Sequence, residues 1–298
     1  MIVSRITGGL GNQLFQYGFG LFLSKKNNCD YYVYVDDRYE KTSSTKREFI
    51  LADFKFQIAL APEWELKKLI PYISHLNLYR LIRSSKLKWS YLPINRNHLV
   101  ERNFYFDENY FNIKSKDLFL DGYWQSYKYV DEVRDILIKQ FILLDKYKIE
   151  LNDFYNAIIK SPNSVSIHVR RGDFISNSSY LNYYGVCDIE YYKNAIKYIE
   201  NIYGKNLIYF IFSDDIDWVK MNFSDLKNVT FISHQNPSID LKLMSLCNHN
   251  IIANSTFSWW GAYLNQNINK IVIRPEKWLK DKDNMKTKLL FPLDWIAL

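Results

Sequence analysis

Val165-Ser166-Ile167-His168-Val169-Arg170-Arg171-Gly172-Asp173 is the stretch on which the reading of this chain turns. Val165, Ile167 and Val169 alternate as the inward residues of a short buried strand do. The strand runs out into two arginines, a glycine and an aspartate. In open α/β sheets, ligands gather where strands end and loops begin. Gly172 permits a turn that a side chain would obstruct. Arg170 and Arg171 offer rigid, permanently charged forks suited to phosphate oxygens. Asp173 can hold one guanidinium while the other meets a ligand. An Arg-Arg pair by itself also reads as a solvated charge cluster after a strand, so the neighbouring landmarks decide.

Toward the C-terminus, strands and helices alternate. Strands are expected at 165–169, 207–212, 229–232, 251–253 and 270–274, with helices at 188–203, 218–223, 238–247 and 259–264. This alternation argues for a parallel sheet with helices on both faces. Three strand ends carry polar residues: Arg170-Arg171, Ser213-Asp214, and Asn254-Ser255-Thr256-Phe257-Ser258. In a parallel sheet they share one edge. The third loop opens a helix, whose free N–H groups and dipole favour a phosphate. Asp240 falls in the first turn of another helix. A carboxylate there can accept two parallel bonds from N1–H and the N2 amino group of guanine. It can equally be a partner for the helix dipole.

Toward the N-terminus, a strand at 2–6 leads into Gly8-Gly9-Leu10-Gly11-Asn12-Gln13 and then a largely buried helix. Strand, glycine turn and helix N-terminus form an anion-binding geometry. Neither a Rossmann fingerprint nor a P-loop is present. A plain strand-to-helix turn explains the glycines, while the adjacent amides of Asn12 and Gln13 suit a polyhydroxylated ligand. A second strand at 31–35 ends at Asp36-Asp37. A helix is expected at 62–82, irregular chain at 84–116, a strand at 118–120 and a helix at 130–144. After the strand at 118–120 come Gly122-Tyr123-Trp124-Gln125-Ser126. A tyrosine, a tryptophan and an amide can stack on and hydrogen-bond a sugar; core filling explains the aromatics equally well. The domain junction is expected within 144–163, giving domains 1–150 and 151–298, with the last residues able to pack back on the first.

The length of 298 residues fits two domains, and 48 % hydrophobic residues suffice for their cores. The net charge of +7 fits an anionic small molecule, an acidic membrane surface or nucleic acid. Cys29, Cys187 and Cys247 are scattered, so reduced thiols in a reducing compartment are expected. His75, His98, His168, His234 and His249 form no metal-binding pair. No signal peptide and no spanning helix is expected.

These landmarks together resemble the α-1,2-fucosyltransferases of glycosyltransferase family 11. The resemblance rests on Gly8 to Gln13, Asp121-Gly122-Tyr123-Trp124-Gln125-Ser126, His168-Val169-Arg170-Arg171-Gly172-Asp173, Ser213-Asp214, and Cys247-Asn248-His249 leading to Asn254-Ser255-Thr256-Phe257-Ser258-Trp259-Trp260. The His-x-Arg-Arg-x-Asp block is shared with α-1,6 and protein O-fucosyltransferases; the Gly-Tyr-Trp-Gln and Ser-Thr-Phe-Ser-Trp-Trp blocks are nearer the bacterial α-1,2 enzymes. The resemblance implies a GT-B-like α/β fold, two Rossmann-type domains facing across a cleft, with the acceptor side in the first and GDP-fucose in the second. It implies inverting transfer of L-fucose from GDP-β-L-fucose to the 2-hydroxyl of a terminal galactose, without metal or other cofactor.

By the same resemblance Arg170 and Asn12 are catalytic. His168, Arg171, Asp173, Ser213, Asp214, Asp240, Asn254, Ser255, Thr256 and Phe257 bind the donor, and Gln13, Tyr123, Trp124 and Gln125 the acceptor. The acceptor is expected to be a galactose-terminated oligosaccharide or lipid-linked glycan of a bacterial surface polysaccharide. The chain is expected in the cytoplasm, with at most peripheral membrane contact through the basic segment 277–288. Asp36, Asp37 and Asp121 are weak candidates for the base that takes the acceptor's proton. Four other readings stay open, the first a fucosyltransferase of another linkage. A metal-dependent GT-A enzyme would use Asp215 and Asp217, although Asp281-Lys282-Asp283 shows how readily such triplets arise. A nucleic-acid binder fits the charge but lacks a recognisable motif. A non-catalytic sugar-binding module would bind glycans without releasing GDP.

Overall fold

The computed structural model describes residues 1–36, 48–84, 96–172, 175, 177–233, 236–280 and 284–298. The chain divides into two units, Met1–Phe141 and Ile142–Leu298. The first contains β1 (Ile2–Ile6), α1 (Leu10–Asn27), β2 (Tyr31–Val35), α2 (Glu63–Leu69), α3 (Leu76–Ser84), β3 (His98–Val100), α4 (Glu108–Phe111), β4 (Leu118–Asp121), α5 (Tyr127–Val130) and α6 (Arg134–Gln140). Its sheet is wholly parallel, in the order β2-β1-β4-β3. The chain leaves β1 on one side through β2 and occupies the other side with β4 and β3. The order therefore reverses between β1 and β4, where an open α/β sheet forms its crevice. All five residues of β1 are buried. Helix α1 is enclosed almost all round, as its continuous apolar run demands.

The helix expected at 62–82 is two helices, α2 and α3, separated around Pro71, which has no N–H for a helical bond. The span expected to be irregular supplies the edge strand β3, only three residues long and so without a readable period. The helix expected from residue 130 starts earlier, at Tyr127, where Ser126 caps the N–H of Lys128.

The second unit contains α7 (Lys148–Lys160), β5 (Ser164–Val169), α8 (Ser178–Tyr184), α9 (Ile189–Tyr203), β6 (Ile208–Ser213), α10 (Ile216–Asn222), β7 (Val229–Ser233), α11 (Pro237–Leu246), β8 (His249–Ile251), α12 (Thr256–Tyr263), β9 (Val272–Arg274) and β10 (Ile296–Ala297). Its sheet is also wholly parallel, in the order β10-β9-β8-β5-β6-β7. Here the order reverses between β5 and β8. Val165, Ile167 and Val169 of β5 pack with Tyr192, Ile199, Ile211, Val219, Ile251 and Ile273 in one core. Asp188 caps α9 by accepting from the Tyr191 N–H, and Gly204 ends it with φ at +76°. Helix α7 falls within the second unit, so the division lies before residue 150. The final residues pair with β9 as a sixth strand of this sheet.

The first sheet's C-terminal edge is tied together by Asp121, whose carboxylate is fully enclosed. It accepts from Arg5 Nη1 at 3.1 Å, Arg83 Nε at 3.1 Å, the Tyr79 hydroxyl at 2.6 Å, and faces His98 Nε2 at 3.1 Å. Arg5 also bonds Asp36 at 3.0 Å. Burial alone would push the Asp121 carboxyl up; His98, Arg5 and Arg83 outweigh it and hold it below the usual carboxylate range. A carboxylate so held is a poor base, which removes Asp121 from that role, and Asp36 is likewise occupied by Arg5. Asp37 lies outside the described residues. Asp121→Asn leaves Arg5 with a buried charge less well matched, and is expected to cost about 3–5 kcal/mol. Because the folded carboxyl is depressed, its contribution is present above the unfolded value and lost as pH falls through the folded one. Thermal melts at neutral pH should show the loss, and the variant should lack part of the wild type's destabilisation below about pH 4.

Candidate active site

The three polar loops predicted for the second unit follow β8, β5 and β6, which are adjacent strands, so they do share one edge. Strand β5 pairs with β6 in a register that sets Val169 opposite Ser213. Continuing that register places Arg170 beside Asp214 and Arg171 beside Asp215. Arg170 Nη1 donates to Asp214 Oδ2 at 2.7 Å. The other carboxylate oxygen of Asp214 accepts from the backbone N–H groups of Arg171 at 2.8 Å and Gly172 at 3.1 Å. A Cβ on residue 172 would lie 2.9 Å from Asp214 Oδ2, so glycine is required for the carboxylate to come this close. Burial raises the Asp214 carboxyl, but Arg170 and the two N–H groups more than offset it, and it is held below its ordinary value. Asp214 therefore positions the arginine loop.

Arg171 is held differently. Its Nε donates to Asp215 Oδ2 at 3.0 Å, and its guanidinium lies 4.1 Å from the centre of the Trp218 ring. Asp215 Oδ1 accepts from the Trp218 N–H and caps α10. Both oxygens of Asp215 thus have partners within the fold, which counts against its use as half of a metal-binding Asp-x-Asp. Asp173 lies outside the described residues, as do His234 and the triplet 281–283.

Across the reversal point, Ser255 caps α12 by accepting from the Phe257 N–H. Ser255, Thr256 and Phe257 are half-buried. The Phe257 ring lies 5.5 Å from that of His168, which is buried within β5. One arginine fork held by a carboxylate thus lies on the same sheet edge as a helix N-terminus, two features that each suit a phosphate.

The remaining donor-side residues take supporting places. Ser213 is buried and its Oγ accepts from the Asp215 N–H, shaping the turn after β6. Asn254 Nδ2 donates to Tyr184 O at 2.9 Å, and its Oδ1 faces Cys187 Sγ at 3.6 Å, so its amide fastens the segment after α8. Asp240 is buried in the first turn of α11.

In the first unit, the glycine loop and the loop after β4 meet at the reversal between β1 and β4. Gln125 Nε2 donates to Asn12 Oδ1 at 2.9 Å. Two of the residues expected on the acceptor side face the interior. Gln13 is buried; its Nε2 donates to Gly8 O and Glu48 O, and its Oε1 accepts from the N–H groups of Ile50 and Leu51. With every bond its amide can make directed inward, it clamps the glycine loop to residues 48–51. Trp124 is completely enclosed, stacked on Phe19 at 4.5 Å and edge-on to Tyr110 at 5.2 Å. It fills the core, held at φ +56°. Tyr123 remains 40 % exposed and can meet a ligand. Composition and spacing gave no sign of Gln16, which accepts from the Thr7 N–H and donates to Gly122 O, joining both loops.

Asp214→Asn removes the carboxylate that orders Arg170 and the next two N–H groups. It is expected to lower stability by about 1.5–3 kcal/mol. Thermal melts of the variant against wild type at neutral pH should show the loss.

Among known proteins, the glycosyl transferase family 11 model matches residues 1–298. The chain is 35 % identical to the O-antigen biosynthesis glycosyltransferase WbnK of Escherichia coli, over 99 % of both chains. It is 31 % identical to an alpha-1,2-colitosyltransferase of Escherichia coli, over 100 % of this chain and 99 % of the other. The solved structure of NodZ alpha-1,6-fucosyltransferase co-crystallised with GDP superposes with a TM-score of 0.51 at 12 % identity, covering 87 % of this chain and 90 % of that one. The fold is therefore the GT-B-like α/β type that the sequence resemblance implied. From its first residue to its last, the chain belongs to glycosyl transferase family 11.

Proposed function

We propose that this glycosyltransferase moves L-fucose from GDP-β-L-fucose to the 2-hydroxyl of a terminal galactose, inverting the anomeric carbon and needing no metal. The observation that carries the reading is Arg170, ordered at 2.7 Å by Asp214 on the edge that also holds the N-terminus of α12. As the fucose–phosphate bond breaks, negative charge grows on the departing diphosphate. A guanidinium and helix N–H groups already in place can take up that charge without reorganising. In this reading Ser255, Thr256 and Phe257 receive the phosphates and Asp240 reads the guanine, while Asn12, Gln125 and Tyr123 face the acceptor. No helix among the described residues is long and apolar enough to cross a membrane. The acceptor is a free or lipid-linked surface glycan reached from the cytoplasm.

The 31 % identity with an α-1,2-colitosyltransferase favours a second reading in which the donor sugar differs. Colitose is fucose without its 3-hydroxyl, so the two donors share the nucleotide, the linkage geometry and the charge problem. A site that hydrogen-bonds the 3-hydroxyl would reject the deoxy sugar strongly; one that does not would accept both.

GDP release is the measurement, with lactose, N-acetyllactosamine and galactosyl-GalNAc as acceptors and the two donors compared in parallel. Turnover with GDP-fucose should persist in EDTA; its abolition there, with recovery on adding Mn²⁺ or Mg²⁺, would return the metal-dependent reading. Arg170→Ala should lower kcat at least about 100-fold, and Arg170→Lys should recover little because it loses the fork. Turnover of Arg170→Ala within threefold of wild type would remove Arg170 from the reaction.

A further inference from the structure

Transfer to a sugar hydroxyl releases a proton, and the C-terminal edge of the first sheet carries three described carboxylates at its strand ends: Asp36, Asp121 and Glu101. The first two are bonded to Arg5, and Asp121 also to Arg83. Glu101 follows β3 directly and makes no ion pair among the described residues. Its two oxygens each accept one backbone N–H from the loop after β4, Oε2 from Tyr123 at 2.6 Å and Oε1 from Trp124 at 3.1 Å. These bonds fix the plane of the carboxylate and leave each oxygen a second lone pair. Gly122 packs so closely on Glu101 that a Cβ there would collide with it. The residue as a whole is half-buried, while its carboxyl group is largely enclosed. The loop it holds carries exposed Tyr123 and, one residue past Trp124, Gln125, which bonds Asn12.

We propose that Glu101 is the general base of the transfer, accepting the proton of the acceptor hydroxyl. The hydroxyl O–H bond breaks toward a Glu101 oxygen. The electron pair left on the acceptor oxygen forms the bond to the anomeric carbon, and the fucose–phosphate bond breaks with its electrons passing to the diphosphate. Protonated Glu101 then returns the proton to solvent. The proposal rests on the fucosyl-transfer reading above.

The electrostatics agree with that task. Burial pushes the Glu101 carboxyl up to about 7, against the lowering effect of the Tyr123 and Trp124 N–H groups and with a further push from Asp121. Tyr110 and Tyr129 also feel its charge, and Arg102 is its neighbour in the chain. A carboxylate in this range takes a proton at neutral pH and gives it up again, which one held near 4 does less well.

The test is the pH dependence of kcat in the full chain, with GDP-fucose and a galactoside acceptor. Wild-type activity should fall below about pH 7 as the base becomes protonated. Glu101→Gln should lower kcat at least about 100-fold and remove that acidic limb, with the acceptor KM and the GDP-fucose Kd within about threefold of wild type. Glu101→Asp, which keeps a carboxylate, should retain an acidic limb and at least ten times the kcat of the glutamine variant. A glutamine variant that keeps kcat within threefold, or whose loss appears in KM and melting temperature instead, overturns the assignment and leaves the fucosyl-transfer reading intact. A wild-type chain that binds no GDP-fucose overturns both.

Discussion

The second unit depends on the carboxylate of Asp214. Two adjacent arginines at a strand end repel one another and tend to splay into water. Here the neighbouring strand, in register, supplies an aspartate for each. Asp214 takes the Arg170 guanidinium and, with its other oxygen, the N–H groups of Arg171 and Gly172. Asp215 takes Arg171. One pairing of β5 with β6 thereby fixes backbone, side chain and charge together, and a slip of one residue would break all three. The two arginines end with different surroundings. Arg171 meets Asp215 and the face of Trp218, whereas Arg170 meets Asp214 through Nη1.

The first unit applies the same solution to the opposite charge. At its centre is a buried aspartate, Asp121, surrounded by donors that come from β1, α3 and β3. Around it the amides act as fasteners. Gln13 ties the glycine loop to residues 48–51, Gln16 ties it to the loop after β4, and Gln125 reaches Asn12. A site that binds a sugar by hydrogen bonds needs its own polar groups held still before the ligand arrives. Buried amides bonded to the backbone or to one another accomplish that without adding charge.

The pattern of strands was legible in the sequence because fully buried parallel strands read as unbroken apolar runs, and those runs end in the residues that form the edge. Val165 to Val169 and the strand leading to Ser213-Asp214 are such cases. Short or polar elements were not legible. Strand β3 has three residues and a buried histidine, and β10 has two. At the site, residue type located the edge but did not say which way each side chain turns. Gln13 and Trp124 have the chemistry of sugar binders and face the interior. Asp215 has that of a metal ligand and holds an arginine. Glu101 bore no motif at all; its significance comes from which strand ends the topology leaves near it.

Three carboxylates at strand ends show how far environment, not residue type, sets function in this fold. Asp121 and Asp214 are substantially buried, which by itself would favour their neutral forms, yet guanidinium groups, a histidine or backbone N–H groups close by keep both ionised. The Glu101 carboxyl is desolvated too, but its partners among the described residues are two backbone N–H groups and no cation, and it is carried up to about 7. The presence or absence of neighbouring cations separates the carboxylates held low from the one pushed up. A carboxylate salt-bridged to arginine holds its negative charge and accepts a proton poorly, so a base must be kept clear of such cations. The first sheet supplies that separation within its own edge: Arg5 and Arg83 are drawn inward to Asp121, and Glu101, beyond them on β3, is left with backbone alone.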